Sequence, residues 1–231
     1  MKIEFASSDE NAAKYFPPMP SSEMIPRWYK DLSLYVGEKR MNAKELHNNG
    51  RPAQPYTVKA CVPVQDYMKH GYIIRSHGDI LITPDEINGV HGWWTASKNV
   101  TCEPHAYRQC PVHINDKKNI YIKICTPWMT RTPPGYSCYF YQPEFFMEER
   151  IRFFPAVVDT DSFHHRLNFP AVLLTDKTFT IKAGDPLVAV FPFKREKWAH
   201  EVKYEEMKEN PVRMFLEHGY RRFFRKKKEF K

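Results

Sequence analysis

Two aspartates and two histidines lie within seven residues of one another in the second half of the chain. They are Asp159, Asp161, His164 and His165. Carboxylate oxygens and neutral imidazole nitrogens are usual donors to divalent metals, and they also hold polar ligands. Aspartates in a tight connection can instead accept hydrogen bonds from nearby backbone N–H groups. The sequence therefore leaves two interpretations open, a ligand-binding site and a structural turn.

Two further groups have the spacing of metal ligands. His77 and Asp79 form an H-x-D pair, which with a distant histidine would match the site of non-haem iron oxygenases. The ten histidines of the chain make such pairs common, and Gly78 equally suits a hairpin turn. Four zinc-type ligands occur at Cys102, His105, Cys110 and His113. They lie closer together than the two separated pairs of a usual zinc finger. We expect no metal and no cofactor at either place.

Trp93 and Trp94 follow Gly92 in a strand-like segment. Neighbouring strand residues face opposite ways, so one tryptophan belongs in the core and the other is partly exposed. Because tryptophan is enriched at the energetic centres of interfaces, Trp94 is a candidate ligand or subunit contact. A purely structural role for both rings is the alternative.

The chain ends in a run of basic and aromatic residues. The candidate contacts are Arg221, Arg222, Phe223, Phe224, Arg225, Lys226, Lys227 and Lys228. Lysine and arginine neutralise phosphates and phenylalanine stacks on unpaired bases, which would suit nucleic acid. A solvated charged run with two docked phenylalanines fits the same residues, and so does a tail that docks on a neighbouring subunit.

The composition fits a folded protein with a local basic region. Hydrophobic residues make up 42% of the 231 residues and aromatic residues 15%, which is enough for a sizeable core. The formal net charge is +8, and Arg221–Lys231 holds seven basic residues and one acidic residue. Five cysteines, an odd number, indicate a reducing compartment rather than a disulfide framework. No apolar run is long enough to predict a signal peptide or a membrane-spanning helix.

Short apolar runs predict a mainly β fold. Between Asn119 and Phe193 they are broken by Pro-Pro-Gly, Asp-Thr-Asp and Ala-Gly-Asp-Pro. Asn119–Thr126 alternates, which places Ile122 and Ile124 on one face. About ten strands at spacings of about 8–15 residues favour a sandwich or barrel over alternating βαβ units. The other predicted strands include Tyr56–Val62, Gly135–Gln142, Phe153–Val158, Phe169–Leu174, Thr178–Ile181 and Leu187–Phe191.

Local patterns predict further elements near the N-terminus. Lys2–Phe5 is expected to add an edge strand. Ser22 is expected to cap a short helix that carries Trp28. Gly71–Arg75 and Asp79–Ile82 are predicted to pair as a hairpin.

The pattern changes after Phe193. Trp198, Val202 and Met207 then stand at helical offsets in a charged segment, which predicts a helix. We therefore divide the chain into an N-terminal arm and loop, a β-barrel core and a helical, basic C-terminal extension. These parts are residues 1–55, 56–198 and 199–231.

Three central motifs resemble the dUTPase and dCTP-deaminase superfamily. Ala156–Asp161 (AVVDTD) resembles its G-[VIL]-I-D-x-D-Y segment, and Ile181–Phe193 resembles the strand that follows its I-x-x-G-[DE] motif. Arg131–Phe140 stands where those proteins have a proline-rich lead into a central strand. The resemblance implies a β-clip fold, a distorted double-stranded barrel that usually forms trimers.

A phage-borne family of uncharacterised proteins resembles residues 56–198 more closely. Its C-x-P-x-x-D…G-Y stretch corresponds to Cys61–Tyr72. The motifs R-T-x-P-G-[YW], V-x-[DE]-T-D, N-x-x-[FW] and G-[DE]-P follow in the same order. This resemblance implies a phage protein, located in the cytoplasm of the infected host cell or in the virion.

Several departures from the dUTPase pattern concern its chemistry. In that pattern the residue that matches Asp159 positions the attacking water, and a tyrosine that stacks on the base follows where this chain has Ser162. Ala156 replaces the leading glycine, and neither a P-R-S-G segment nor a glycine-rich C-terminal arm occurs. Triphosphate hydrolysis needs several N–H and arginine donors around the phosphates, usually with Mg²⁺. The sequence thus predicts the scaffold without its hydrolytic chemistry.

We therefore expect a non-catalytic structural, assembly or binding module. It would form homo-oligomers or bind other phage proteins, and it would not contact a membrane. One alternative is a nucleotide hydrolase or deaminase that uses Asp159, with Asp161 or His165 nearby. Another is a nucleic-acid-binding accessory protein that acts through Arg221–Lys231.

Overall fold

The computed structural model describes residues 1–36, 56–85, 89–95, 101–105 and 120–205. The α-helices in this part are short: α1 (Glu10–Tyr15), α2 (Arg27–Asp31) and α3 (Val62–Lys69). The strands are β1 (Glu4–Ser7), β2 (Met19–Pro20), β3 (Tyr72–Arg75), β4 (Ile80–Asp85), β5 (Gly89–Thr95), β6 (Thr101–Pro104), β7 (Tyr121–Cys125), β8 (Trp128–Arg131), β9 (Tyr136–Tyr141), β10 (Ile151–Phe153), β11 (Ala156–Val158), β12 (Asn168–Leu173), β13 (Phe179–Ile181) and β14 (Pro186–Lys194).

These strands pair into four antiparallel sheets. The largest has the order β11-β9-β14-β3-β2, and the second has the order β10-β12-β7-β6. The orders β13-β4-β5 and β1-β8 describe the other two. The mainly β fold class is therefore confirmed. Within the described residues the sheets do not close into one barrel, so the distorted barrel agrees only loosely.

Alternate strand residues build the core, as the sequence pattern predicts. Ile122 and Ile124 on β7 are buried on the face that alternation assigned to them. The buried rings of Phe140 on β9 and Phe169 on β12 lie 5.9 Å apart, which packs the two largest sheets against each other. Each such buried side chain contributes about 1.5–3 kcal/mol. This core holds the strand ends that carry the candidate site.

Pro155 divides a predicted strand in two. The predicted strand Phe153–Val158 is split between β10, which pairs with β12, and β11, which pairs with β9. Proline has no N–H to donate to a strand ladder, so it favours a break. The chain uses this break to pass from one sheet to another.

Residues Tyr56–Val62 do not form the predicted strand. Val58–Ala60 is a 3-10 turn and α3 follows it. The Thr57 hydroxyl accepts a hydrogen bond from the Lys59 backbone N–H at 3.3 Å. This local bond and Pro63 in the first turn of α3 favour a turn and a helix over a strand.

β3 and β4 lie where the sequence predicts strands, but they are not partners in a hairpin. β3 pairs with β2 and β14, whereas β4 pairs with β5 and β13. Their connection is tied to a distant loop, because the Ser76 N–H donates to the Asp185 carbonyl at 2.8 Å and the Gly184 N–H donates to the Ser76 carbonyl at 2.8 Å. These bonds direct the two strands into different sheets.

The N-terminal predictions agree with the structure in outline. The predicted strand Lys2–Phe5 corresponds to β1, which pairs with β8. The helix that carries Trp28 is α2, but the predicted Ser22 cap is wrong, because Ser22 lies inside a separate 3-10 turn, Ser21–Glu23, and α2 begins at Arg27. In α2 the Tyr29 side chain is buried and Trp28 is partly exposed.

Gly71 allows β3 and β14 to approach closely. Its φ is +69°, in the left-handed region that favours glycine, and a Cβ built on it would lie 2.1 Å from the Val190 carbonyl oxygen. A side chain at this position meets both backbone strain and a backbone clash. Gly71 therefore belongs to the packing of the largest sheet.

The chain divides into two compact units. One contains Met1–Pro26 and His70–Arg195, and the other contains Arg27–Lys69 and Glu196–Lys231. The division predicted from the sequence stays a prediction. Residues 196–205 contain no helix, so the predicted helix is wrong over that stretch. No helix among the described residues is long and apolar enough to cross a membrane.

Candidate functional site around Arg195

Three neighbouring strands bring the predicted aspartates to one end of the largest sheet. β11 ends at Val158, and Asp159 opens the turn that follows, beside Ser137 on β9. β14 lies on the other side of β9 and ends at Lys194, so Arg195 emerges at the same end. Residues that are far apart in the sequence meet here because of strand register.

Arg195 joins both aspartates in one ion-pair network. Its Nη1 donates to Asp159 Oδ1 at 3.2 Å, to Asp161 Oδ1 at 3.0 Å and to the Ser137 hydroxyl at 2.8 Å. Its Nη2 donates to Asp161 Oδ2. A guanidinium that binds both oxygens of one carboxylate makes a strong and directional pair. The two carboxylates stand out in the sequence, but no sequence pattern identifies Arg195 as the arginine that pairs with them.

Asp161 is the less exposed of the two aspartates. Its side chain is 10% exposed, and the Gly135 N–H donates to its Oδ2 at 2.8 Å. The hydrogen bonds from Arg195 and Gly135 lower the pKa of Asp161 to about 2. The same pair raises the pKa of Arg195. Asp161 is thus ionised at neutral pH and ties the Pro-Pro-Gly loop to the turn.

Thr160, between the two aspartates, anchors the turn to the core. Its side chain is buried, its hydroxyl lies 2.7 Å from the Thr132 hydroxyl, and it donates to Cys138 Sγ at 3.3 Å. The Thr132 N–H donates to the Thr160 carbonyl at 3.2 Å. Burial raises the pKa of the Cys138 thiol to about 11. No sequence pattern identifies Thr132 and Cys138 as partners of Thr160, although a threonine between two turn aspartates is a signal for an anchoring role.

The two histidines lie on the exposed side of the same segment. His164 and His165 are both exposed, and the ring of His165 meets the ring of Phe163 edge to face at 5.2 Å. In the described part of the chain, no group of three or more histidine, cysteine, aspartate or glutamate side chains could hold a metal. The structure thus joins the aspartates through Arg195. The assignment of all four residues as a ligand site stays a prediction.

In the predicted H-x-D pair, His77 and Asp79, the aspartate makes contacts that hold the local structure together. Asp79 accepts a hydrogen bond from the Ala183 N–H at 2.8 Å and pairs with Lys182 Nζ at 3.2 Å. These contacts, led by the Ala183 N–H, lower the pKa of Asp79. His77 is buried. Asp79 therefore fastens the start of β4 to the loop before β14.

Several other predicted residues are only partly covered by the structure. Cys102 is buried, and burial raises the pKa of its thiol to about 12. Cys110 and His113 lie outside the described residues. The backbone of Trp94 pairs with Leu81, but its side chain lies outside what the structure describes. The basic residues Arg221, Arg222, Phe223, Phe224, Arg225, Lys226, Lys227 and Lys228 lie outside it as well.

An apolar row crosses the sheet beside the Arg195 network. Val157 on the edge strand β11 is directly opposite Tyr139 on β9, which is directly opposite Phe191 on β14. Val157 is 60% exposed and Tyr139 is 38% exposed. The Tyr139 ring stacks on the Tyr141 ring at 4.9 Å. We call Val157, Tyr139 and Phe191 the apolar row.

Residues 196–205, which follow Arg195, contain further exposed apolar side chains. Trp198 is 87% exposed, Val202 90% and Tyr204 93%. No helix, turn or paired strand occurs in this stretch. We call residues 196–205 the arm. Large apolar side chains exposed this fully and this close together are a common mark of a binding segment.

No family model and no curated protein matches this sequence. Solved structures of phage dUTPases do match it. A mutant dUTPase of Staphylococcus bacteriophage 80alpha with dUpNHpp matches with a TM-score of 0.39 and 11% identity, over 90% of each chain. A mutant dUTPase from phage phi11 of S. aureus matches with a TM-score of 0.39 and 14% identity, over 91% of this chain and 100% of that chain. Similarity at this level assigns no activity to this chain.

Proposed function

We propose that this chain is a non-catalytic binding or assembly module of a phage, which acts through protein contacts and associates with itself. The observation that carries the proposal is the engagement of both central aspartates by Arg195. The proposed setting is the cytoplasm of the infected host cell or the virion. The proposed partners are further copies of the chain or other phage proteins.

The ion-pair network disfavours water activation by Asp161. A general base works best when its pKa lies near the operating pH. The pKa of Asp161 is held at about 2 by Arg195 and the Gly135 N–H, so Asp161 is a poor base. Asp159 Oδ1 accepts hydrogen bonds from the Ser137 hydroxyl at 2.6 Å and from Arg195 at 3.2 Å. These bonds give the carboxylates a structural use.

Exposed apolar side chains support a role in protein contacts. The apolar row ends at β11, the outermost strand of its sheet among the described residues, and the arm exposes three large apolar residues within seven positions. Interfaces are built around buried aromatic anchors such as tryptophan and tyrosine. Both features would gain free energy from contact with another protein surface.

The competing hydrolase hypothesis makes an opposite prediction about nucleotides. Purified protein is incubated with each of the four canonical dNTPs and dUTP in the presence of Mg²⁺, and release of pyrophosphate or phosphate is measured. We expect no turnover above the rate of a buffer blank. The matched control is Asp159→Asn, which keeps the size of the side chain. Turnover that the wild type shows and this variant lacks would establish the hydrolase in place of the module.

The assembly role is tested by native mass. Light scattering of the purified full chain over a wide concentration range should give an oligomer. Mass spectrometry of purified phage particles then distinguishes a virion component from a protein of the host cytoplasm. A monomer at every concentration that is also missing from the particles contradicts the proposal.

A further inference from the structure

Two short segments that are far apart in the sequence are fastened together after α2. The Thr57 N–H donates to the Leu34 carbonyl at 3.1 Å, and the Thr57 hydroxyl donates to the Ser33 carbonyl at 2.5 Å. One residue further along each segment, Tyr35 and Tyr56 form an antiparallel bridge. Their rings therefore lie side by side, with centroids 5.2 Å apart and planes inclined at 34°.

Two lysines adjoin the segments that carry these rings. Lys59 Nζ donates to the Lys30 carbonyl at 2.7 Å and to the Leu32 carbonyl at 2.8 Å, at the C-terminal end of α2. Lys59 follows Tyr56 by three residues, and Leu32 precedes Tyr35 by three. The side chain of Lys30 is exposed. Positive charge and aromatic rings thus share one small piece of the molecule.

The aromatic rings in this piece are accessible to solvent. Tyr56 is 55% exposed and Trp28 on α2 is 38% exposed. Tyr29 is buried and meets Trp28 edge to face at 5.6 Å, so α2 is held by one ring and presents the other. Unpaired nucleic-acid bases stack on exposed aromatic rings, and this stacking tolerates any base because every base has a flat face.

The charge distribution along the sequence favours a negatively charged partner here. Residues 27–69 contain eight basic and four acidic residues, and Arg221–Lys231 contains seven basic residues and one acidic residue. The remaining residues, 1–26 and 70–220, contain 20 basic and 22 acidic residues. The tyrosine pair therefore belongs to a basic stretch of an otherwise slightly acidic chain. Such a stretch attracts phosphates and speeds their encounter with the protein.

We propose that Tyr35, Tyr56, Lys30 and Lys59 form a binding site for single-stranded nucleic acid. Bases stack on the tyrosine rings, and the lysines attract the phosphates. We call these four residues the tyrosine platform. A duplex would meet the same lysines, but its base faces are already stacked, so single strands should bind more tightly. The platform shares no residue with the Arg195 network, the apolar row or the basic C-terminal end.

Ring variants of the full chain test the stacking. Fluorescence anisotropy is measured with labelled oligo(dT) and oligo(U) of about 20 nucleotides, which covers the site sizes of known single-strand binders, and with a DNA duplex of the same length. Tyr56→Ala should weaken single-strand binding at least about fivefold, whereas Tyr56→Phe, which keeps the ring, should bind like the wild type. The matched control is Tyr15→Ala, because Tyr15 on α1 is 58% exposed. It should leave binding unchanged.

The salt dependence tests the lysines without altering a ring. Each lysine–phosphate contact contributes about 0.7 to the slope of log affinity against log salt concentration for single strands. Lys30→Gln should therefore lower the slope by about 0.7. Lys177→Gln changes another exposed lysine, outside the basic stretch, and should keep the slope. Both side chains are exposed, so both variants should keep the wild-type circular dichroism spectrum and unfolding midpoint.

Four results would overturn the inference. They are a wild type that binds neither oligonucleotide, equal effects of Tyr56→Ala and Tyr15→Ala, tighter binding of the duplex, and loss of all binding when Arg221–Lys231 is deleted. If a poly(glutamate) peptide binds with the same dependence on Tyr56 and the oligonucleotides do not bind, the surface is a contact for acidic proteins instead. None of these measurements depends on native mass or nucleotide turnover, so the proposed function stands or falls separately.

Discussion

Replacing Gly71 by alanine should destabilise the protein much more than the same change at Gly135. Both glycines have positive φ, +69° and +84°, so both substitutions strain the backbone. They differ in their surroundings, because a Cβ on Gly71 would meet the Val190 carbonyl oxygen at 2.1 Å. A Cβ on Gly135 would meet no atom within 4 Å. Comparing the two variants therefore separates the cost of backbone strain from the cost of the steric clash.

The magnitudes follow from these two contributions. A left-handed conformation costs an alanine about 1–2 kcal/mol, which both variants share. Gly71→Ala must also move the backbone of buried Val190, and overpacking of this kind typically costs about 1–3 kcal/mol. We expect a loss of about 2–5 kcal/mol for Gly71→Ala and about 1–2 kcal/mol for Gly135→Ala. The effect on the unfolded chain is the same for both and cancels in the comparison.

Urea unfolding followed by tryptophan fluorescence and by circular dichroism measures the difference. The transition midpoint should fall further in Gly71→Ala while the slope stays constant. Losses that agree within about 0.5 kcal/mol would refute the close approach of Gly71 to β14. A larger loss at Gly135 would refute the reasoning about its open surroundings as well.

Three further predictions concern charge, thiols and the C-terminal end. Asp161→Asn should destabilise the protein at neutral pH. Since the folded pKa of Asp161 is lowered to about 2, its contribution is present above about pH 4 and is lost as the pH falls towards 2, so the midpoints of variant and wild type should converge there. Cys61 is exposed and should be alkylated by iodoacetamide at least about tenfold faster than buried Cys102, whose pKa is raised to about 12; site-resolved mass spectrometry measures both rates. If the basic end binds nucleic acid, deletion of Arg221–Lys231 should abolish salt-sensitive retention on DNA or RNA columns, and unchanged retention would exclude that role.

The parts of the fold that the sequence predicted are those governed by local patterns. The alternation in Asn119–Thr126 identified β7 and its buried face, since period-two burial is a property of a single strand. The failure at Tyr56–Val62 has a local cause, because the Thr57 side chain supports a turn there. The predicted pairing of β3 with β4 was wrong for a non-local reason. Hydrogen bonds between Ser76 and a loop more than a hundred residues away direct the two strands to other partners.

The two aspartates of the candidate site could be predicted from the sequence, but their arginine partner could not. The spacing of Asp159 and Asp161 pointed to a turn that binds backbone N–H groups, and Gly135 supplies such a group. Arg195 could not be identified, because it reaches the turn through the register of β9 and β14. In the sequence it looked like the start of a charged helix. Its two carboxylate contacts exist only after three strands are in place.

The ion pairs of Arg195 also have a mechanical consequence. β14 is nine residues long and has antiparallel neighbours, β3 and β9, on its two sides. Tension applied through the residues after Arg195 would pull along the axis of β14, so it would load both ladders in shear. Arg195 would share that load with the turn after β11. The backbone hydrogen bonds of both ladders would therefore have to break together before β14 could be pulled out of the sheet.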